Sequence, residues 1–162
     1  MCMKNVNITS VVCDRDQSEI GGAVQTGKVL DEILVRKYIG VGEEAFLIDS
    51  LTVFSFANAF AEFEGVELKK KYNLLWVLES ANISKYEQLQ LAETVYDTTV
   101  NQIDGGANGR AFSNQIFKFT LRDVKIKNSN ERYFLKVYIK EDGSDEKWQI
   151  QSINSIYVKE EC

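Results

Sequence analysis

The stretch FKFTLRDVKI, residues 117–126, decides the predicted fold because apolar and polar side chains alternate along it. A period of two is typical of a β-strand with one buried face, since successive side chains of a strand point to opposite sides. The leading apolar positions are odd-numbered up to Leu121 and even-numbered from Val124 onward. This change of parity predicts a β-bulge or a bend at Asp123.

Two further strands are predicted after this one. Residues 133–139, YFLKVYI, alternate in the same way, and a last strand runs from Trp148 to Val158. Residues 128–130 (Asn-Ser-Asn) and 142–143 (Asp-Gly) are typical of tight turns. Connections this short make the strands antiparallel neighbours in a curved sheet of three or four strands.

Upstream of this sheet, apolar residues recur every three to four positions, which is typical of helices that bury one face. The pattern predicts helices over residues 17–39, 51–65 and 68–76, with Gly40 and Gly65 at the ends of the first two. Trp76 is expected to be buried where the third helix packs against the sheet.

A capping box predicts the start of one more helix. Residues 84–87 have the sequence Ser-Lys-Tyr-Glu, which is the S-x-x-E form of that motif. The helix is expected to continue through Leu89 and Tyr96, although residues 94–100 are rich in β-branched side chains and a strand is the alternative there.

The predicted fold class is therefore α+β, with several N-terminal helices packed on one face of the sheet. The chain has 162 residues, the length of one domain, and we assign residues 16–162 to it. Residues 1–15 show no period and are predicted to be a flexible tail. No segment approaches the roughly 20 apolar residues of a membrane span, so we expect a soluble chain or a soluble fragment of a membrane-anchored protein.

The chain contains no histidine. Histidine is the commonest general base and metal ligand, so its absence argues against Ser-His-Asp and Cys-His catalytic arrangements. Cys2, Cys13 and Cys162 form no C-x-x-C pair and no zinc pattern, although one bridge between the termini is left open. We predict no metal and no cofactor.

The formal charge of −5 argues against a nucleic-acid partner, because such affinity comes mainly from Lys and Arg that neutralise phosphates. The basic triplet at residues 69–71 follows three glutamates, Glu62, Glu64 and Glu67, and indicates a solvated surface.

Three carboxylate pairs could hold an acid and a base, but nothing in the sequence predicts their burial. They are Asp31 with Glu32, Glu43 with Glu44, and Asp97 with Asp104. The glycine-rich loop at residues 105–109 lacks the Lys-Ser or Lys-Thr of a P-loop and is interpreted as a connection. We predict no catalytic residue.

The strand at residues 133–139 predicts a docking surface instead. Phe134 and Tyr138 share one face with Lys136 and Lys140, opposite the regular apolar face. Exposed aromatic side chains are costly, which indicates a contact with a helix or with a partner protein. The predicted partner-binding residues are Arg36, Lys37, Phe134, Lys136, Tyr138 and Lys140.

Helices followed by a bent antiparallel sheet are the outline of the nuclear-transport-factor-two-like fold. Over residues 25–160 the chain resembles the VirB-eight-like periplasmic domain of bacterial type IV secretion systems. The likeness is carried by Ile33–Ile39 with Glu43-Glu44, by Lys69–Tyr72, and by the strands led by Val124, Tyr133 and Trp148.

The resemblance implies a non-catalytic assembly module at the periplasmic face of the inner membrane, which binds itself weakly and binds other channel subunits. The chain departs from the pattern of this family in two ways. It lacks the membrane segment, and it contains no proline, so the Asn-Pro loop that is linked to self-association in many members is missing.

Two alternatives remain. One is a small-molecule-binding or isomerase-type domain of the same fold, with Tyr72, Tyr86 or Tyr96 acting beside Asp97. The other is a cytoplasmic immunity or inhibitor protein, which the small size and acidic charge would fit.

Overall fold

A computed structural model describes residues 5–13, 29–40, 42–100, 102–103 and 109–161. These residues form ten strands and one 3-10 helix, Ile83–Lys85. The strands are β1 (Val6–Cys13), β2 (Val29–Leu30), β3 (Glu32–Gly40), β4 (Glu43–Phe60), β5 (Lys71–Ser80), β6 (Gln88–Asp97), β7 (Gln102–Ile103), β8 (Phe112–Ile126), β9 (Glu131–Glu141) and β10 (Gln149–Glu160).

The strands make two layers joined through β3. In the first layer β4 lies between β1 and β8 and is antiparallel to both. The two-residue strands β2 and β7 pair with β1 and β8, respectively, and are also antiparallel. The second layer has the order β10-β9-β5-β6, with antiparallel neighbours throughout. β3 belongs to both layers, because residues 32–35 run parallel to β10 and residues 36–40 pair with β4.

The core lies between these layers. Trp76 of β5 is 1% exposed, and its ring packs against Phe117 and Phe119 of β8 at centroid distances of 5.6 and 5.4 Å. Its Nε1 donates to Ser55 Oγ of β4 at 2.9 Å, and Ser55 Oγ also shares a 2.6 Å hydrogen bond with Ser10 Oγ of β1. This chain of polar groups is buried and satisfied, so it connects the layers without leaving an unpaired donor.

The predicted α+β class is wrong, because the described part of the segments predicted as helical forms strands. Residues 51–65 fall mainly in β4, residues 68–76 mainly in β5, and the described part of 17–39 in β2 and β3. In β5, residues 74–78 are all buried, so apolar side chains lie on both faces. A strand buried on both faces loses its alternation, and helical spacings then occur by chance.

The capping box is also wrong. Asn82 caps the 3-10 helix, with its Oδ1 accepting from Ser84 N at 3.0 Å. Glu87 does not close a box but accepts from Lys127 N and from the Tyr133 hydroxyl. The segment beyond it is β6, which agrees with the strand alternative over residues 94–97 and extends it to residue 88.

The three strands predicted between residues 117 and 158 are confirmed as β8, β9 and β10. Asp123 has a φ of 55°, and the pairing of β8 with β4 skips it, from Ser50–Arg122 to Ile48–Val124. Asp49 of β4 is skipped as well, so the register of the two strands is the same on both sides of this step. The change of parity therefore marks the bend that was the predicted alternative, and not a β-bulge. Gly143, in the predicted turn, has a φ of 74°, a value that glycine adopts without strain.

The predicted flexible tail is corrected for residues 6–13, which form β1. Val6, Ile8 and Val12 are at most 7% exposed, and β1 pairs with β4 over residues 52–59. On its other side, Gln151 Nε2 and Asn154 Nδ2 of β10 donate to β1 carbonyl oxygens. Residues 1–4, 14–28 and 105–108 lie outside the described residues.

Candidate protein-binding face

The predicted face of β9 lies on the side of the second layer that is turned away from the core. Tyr133, Leu135, Val137 and Ile139 are buried in the core, whereas the alternate residues of β9 are half-buried. We call this side the outer face. Its side chains, assigned from strand register, are Leu75, Val77 and Glu79 of β5, Glu93 and Val95 of β6, Phe134, Lys136, Tyr138 and Lys140 of β9, and Ile150 and Ile153 of β10.

An ion pair lies at the centre of the outer face. Lys136 Nζ contacts Glu79 Oε2, and the two side chains are only 15% and 13% exposed. Tyr86 also donates its hydroxyl to Glu79 Oε1 at 2.8 Å. Lys136 is the cross-strand neighbour of Val77, which is 1% exposed, so the lysine stem covers apolar surface while its ammonium group stays paired.

The surroundings of Glu79 lower its pKa. Burial acts in the opposite direction and is the largest single influence, but the hydrogen bonds from Lys136 and Tyr86 and the charge of Lys136 outweigh it. The same pair raises the pKa of Lys136, mainly through its hydrogen bond to Glu79.

Glu79→Gln is expected to destabilise the protein at pH 7 and to lose that effect in acid. Because the folded pKa of Glu79 is below its ordinary value of about 4.5, the carboxylate contributes stability above that pH and loses it as pH falls through the folded pKa. Urea unfolding of both proteins from pH 7 to pH 3 should show that the difference between their unfolding free energies disappears below pH 4.5. Glu62→Gln, at an exposed position, is the matched control. A difference that does not depend on pH would contradict the ion-pair role.

Exposed apolar side chains surround this ion pair. Ile150 and Ile153 are 49% and 52% exposed, and Val95 on the far side of the face is 44% exposed. Two basic groups lie over aromatic rings: Lys136 Nζ is 5.8 Å from the Phe134 ring centroid, and Lys140 Nζ is 4.8 Å from that of Trp148. The face thus offers apolar contact area with its central charge already neutralised.

Arg36 and Lys37 do not join this face. Both are exposed on the part of β3 that pairs with β4, where they lie opposite Leu47 and Phe46 in the first layer. Arg36 Nε donates to Asp49 Oδ1 at 2.8 Å, and this hydrogen bond raises the pKa of the guanidinium group. The predicted set of partner-binding residues therefore divides between two layers, and only the four β9 residues share the outer face.

The residues considered for acid–base chemistry do not converge. Tyr96 is fully buried and donates its hydroxyl to Ser113 O at 3.0 Å, while Asp97 points to the other side of β6 and accepts from Thr99 Oγ1. Tyr72 faces the core beside Tyr96, and Tyr86 is held by Glu79 on the outer face. The Glu43 side chain and Asp104 lie outside the described residues, and Asp31 and Glu32 line an open surface groove.

A second groove, of about 420 Å³, lies at the C-terminal end of β4. Phe60, Phe63 and Val66 line it together with Glu62 and Lys69, so it mixes apolar and charged groups. Within the described ranges, no group of three or more His, Cys, Asp or Glu side chains is arranged to hold a metal ion. The same ranges contain no helix with the length and hydropathy to span a membrane.

The outer face includes residues that the sequence did not indicate. Glu79 was missed because β5 was predicted as a helix. Ile150 and Ile153 were missed because they are three residues apart, and they share a face only through the register shift between Ile150 and Ser152. In the sequence, these two isoleucines of the last predicted strand are the feature that could have indicated this part of the face.

No protein-family model matches the chain, and a search of curated proteins finds no significant match. Among solved structures, the CooA pilin subunit from enterotoxigenic Escherichia coli has 10% sequence identity and a TM-score of 0.42, over 98% of this chain and 99% of that one. A structural genomics target has 7% identity and a TM-score of 0.36, over 94% of this chain and 86% of that one. TM-scores this low establish neither a shared fold nor a shared function.

Proposed function

We propose that this chain is a non-catalytic module that binds other proteins through the outer face. The observation that carries the proposal is the group of half-exposed apolar side chains, Ile150, Ile153 and Val95, around the Lys136–Glu79 pair. Interfaces typically combine apolar contact area with few unpaired charges, and on this face the apolar side chains lie around two charges that neutralise each other.

Self-association through the outer face is expected to be weak, with a Kd of about 1 μM or above, because a small interface must offset the lost freedom of two bodies. Assembly into a type IV secretion channel and a periplasmic location stay predictions of the resemblance. The order of helices and sheet on which that resemblance depends is absent from the described residues.

The small-molecule alternative has less support, because its tyrosines and Asp97 point to different surroundings. The immunity-protein alternative stays a prediction from size and charge, and its partner would be a single toxin in the cytoplasm.

Ile153→Asp is expected to abolish partner binding while leaving the fold intact, since this side chain is already 52% exposed. Ile83→Asp introduces the same change at a position that is 91% exposed on the 3-10 helix, and it serves as the matched control. Affinity capture from the native host, quantified by mass spectrometry, should show partners that are lost with Ile153→Asp and kept with Ile83→Asp. Partners retained equally by both variants would show that the outer face is not the docking surface.

A further inference from the structure

The side of the molecule where β6 and β8 approach each other is open. β6 pairs only with β5 among the described strands, and β8 pairs with β4 and, at Phe112 and Ser113, with β7. Partly buried apolar side chains of both strands pack against the core on this side. We call this the open flank, and its residues are Leu89, Leu91 and Ala92 of β6 and Phe117, Phe119 and Leu121 of β8.

The two edges of the open flank differ in how they resist pairing. β8 carries Lys118, Arg122 and Lys125 and has an irregular backbone at Asp123, where φ is 55°. Basic side chains and irregular backbone both protect an edge strand from pairing. β6 has the sequence QLQLAETVYD, without lysine, arginine or proline. Its one irregularity is the register shift opposite Trp76 and Val77, so residues 92–97 form an uninterrupted stretch beyond it.

We propose that residues 92–97 of β6 bind an extended segment of another protein, which adds to the second layer as a further strand. The free edge of a strand presents unpaired N–H and C=O groups, and an extended backbone satisfies them. The inward side chains at this stretch include the small Ala92 and Thr94. The third inward residue, Tyr96, packs edge-on against Phe117 at a centroid distance of 5.9 Å, so the inward side chains of an added strand would lie beside the two small residues.

The charge of β6 indicates which kind of segment would pair with it. The outward side chains of this stretch are Glu93, Val95 and Asp97, and β6 itself contains no cation. Lys71 Nζ of β5 lies 3.8 Å from Asp97 Oδ2, so Glu93 is the carboxylate of this stretch that mainly favours a basic segment. A second copy of β6 would place carboxylates from both chains along one seam, where like charges on adjacent strands are destabilising. A segment that alternates apolar residues with lysine or arginine instead places opposite charges across the new pair. The favoured occupant is thus a basic, alternating strand from a different protein.

Three blocked peptides test this proposal on the full chain: KVKVKVKVK, EVEVEVEVE and KVKPKVKVK. The first should bind and protect the amides of residues 92–97 from hydrogen exchange. The acidic peptide should bind at least about tenfold more weakly, because it repels Glu93. The proline peptide keeps the positive charge but lacks a ladder donor, so it should also lose about tenfold in affinity.

Glu93→Lys should reverse the preference between the basic and acidic peptides, whereas Glu32→Lys, at an exposed position on β3, should not. Ile153→Asp should leave peptide binding unchanged, which separates the β6 edge from the isoleucines that β10 contributes to the outer face. Equal binding of the two basic peptides would show attraction by charge alone and overturn the proposal. Protection of residues 92–97 that rises with protein concentration in the absence of peptide would make a second copy the occupant and would also overturn it.

Discussion

Deletion of residues 1–13 is expected to abolish cooperative folding. β1 contributes Val6, Ile8 and Val12 to the core, each at most 7% exposed. Full burial of one such side chain stabilises a protein by about 1.5–3 kcal/mol, and typical domains have a total stability of about 5–15 kcal/mol. Three of these side chains therefore account for a large share of the total, and the edge of β4 over residues 52–59 loses its partner as well.

The measurement is urea unfolding followed by circular dichroism, together with the dispersion of amide resonances. Ile8→Asp should reproduce most of the effect by placing a charge in the core, whereas Asn7→Asp, at an exposed position of the same strand, should leave the urea midpoint almost unchanged. A truncated protein that unfolds cooperatively at the original midpoint would show that β1 is dispensable.

β1 also illustrates what the sequence did not reveal. Its inward side chains include Ser10 between Ile8 and Val12, and this serine interrupts the apolar alternation. Ser10 is fully buried only because Ser55 of β4 supplies its hydrogen-bond partner. That partner is 45 residues away in the chain, so no local pattern predicts it.

The strands that were predicted correctly have one regular face. In β9, residues 133, 135, 137 and 139 are buried and the alternate positions are half-buried, so the period of two is preserved. In β4, the outward Phe54 is 1% exposed although it faces away from the core, and the apolar run there suggested a helix. Prediction therefore succeeded in β9, where one face meets water, and failed in β4 and β5, where apolar side chains are covered on both faces.

The candidate site was predicted in part for the same reason. Alternation in β9 indicated that Phe134, Lys136, Tyr138 and Lys140 share a face, and strand register places them so. The partner of Lys136 could not be predicted, because Glu79 comes alongside it only through the pairing of β5 with β9. This pairing changes the expected effect of charge reversal at Lys136, which would leave Glu79 unpaired and destabilise the fold as well as any interface.

Trp76→Ala is expected to destabilise the protein by about 3–5 kcal/mol, as removal of a large core side chain usually does. Trp76 was predicted to be buried, and it is, but on β5 and not on a helix. The substitution removes ring contacts to Phe117 and Phe119 and leaves a cavity between the two layers. It also removes the indole donor from Ser55 Oγ.

Trp76→Phe separates these contributions, because it keeps an aromatic ring in the core but cannot donate to Ser55. The lost hydrogen bond should cost about 1 kcal/mol, with a further cost for the smaller ring. Adding Ser55→Ala to Trp76→Phe should cost less than Ser55→Ala in the native chain, since the indole N–H that Ser55 satisfies is already absent. Urea unfolding of the four proteins gives this coupling energy. A coupling of zero would mean that the Trp76–Ser55 hydrogen bond does not help to hold the two layers together.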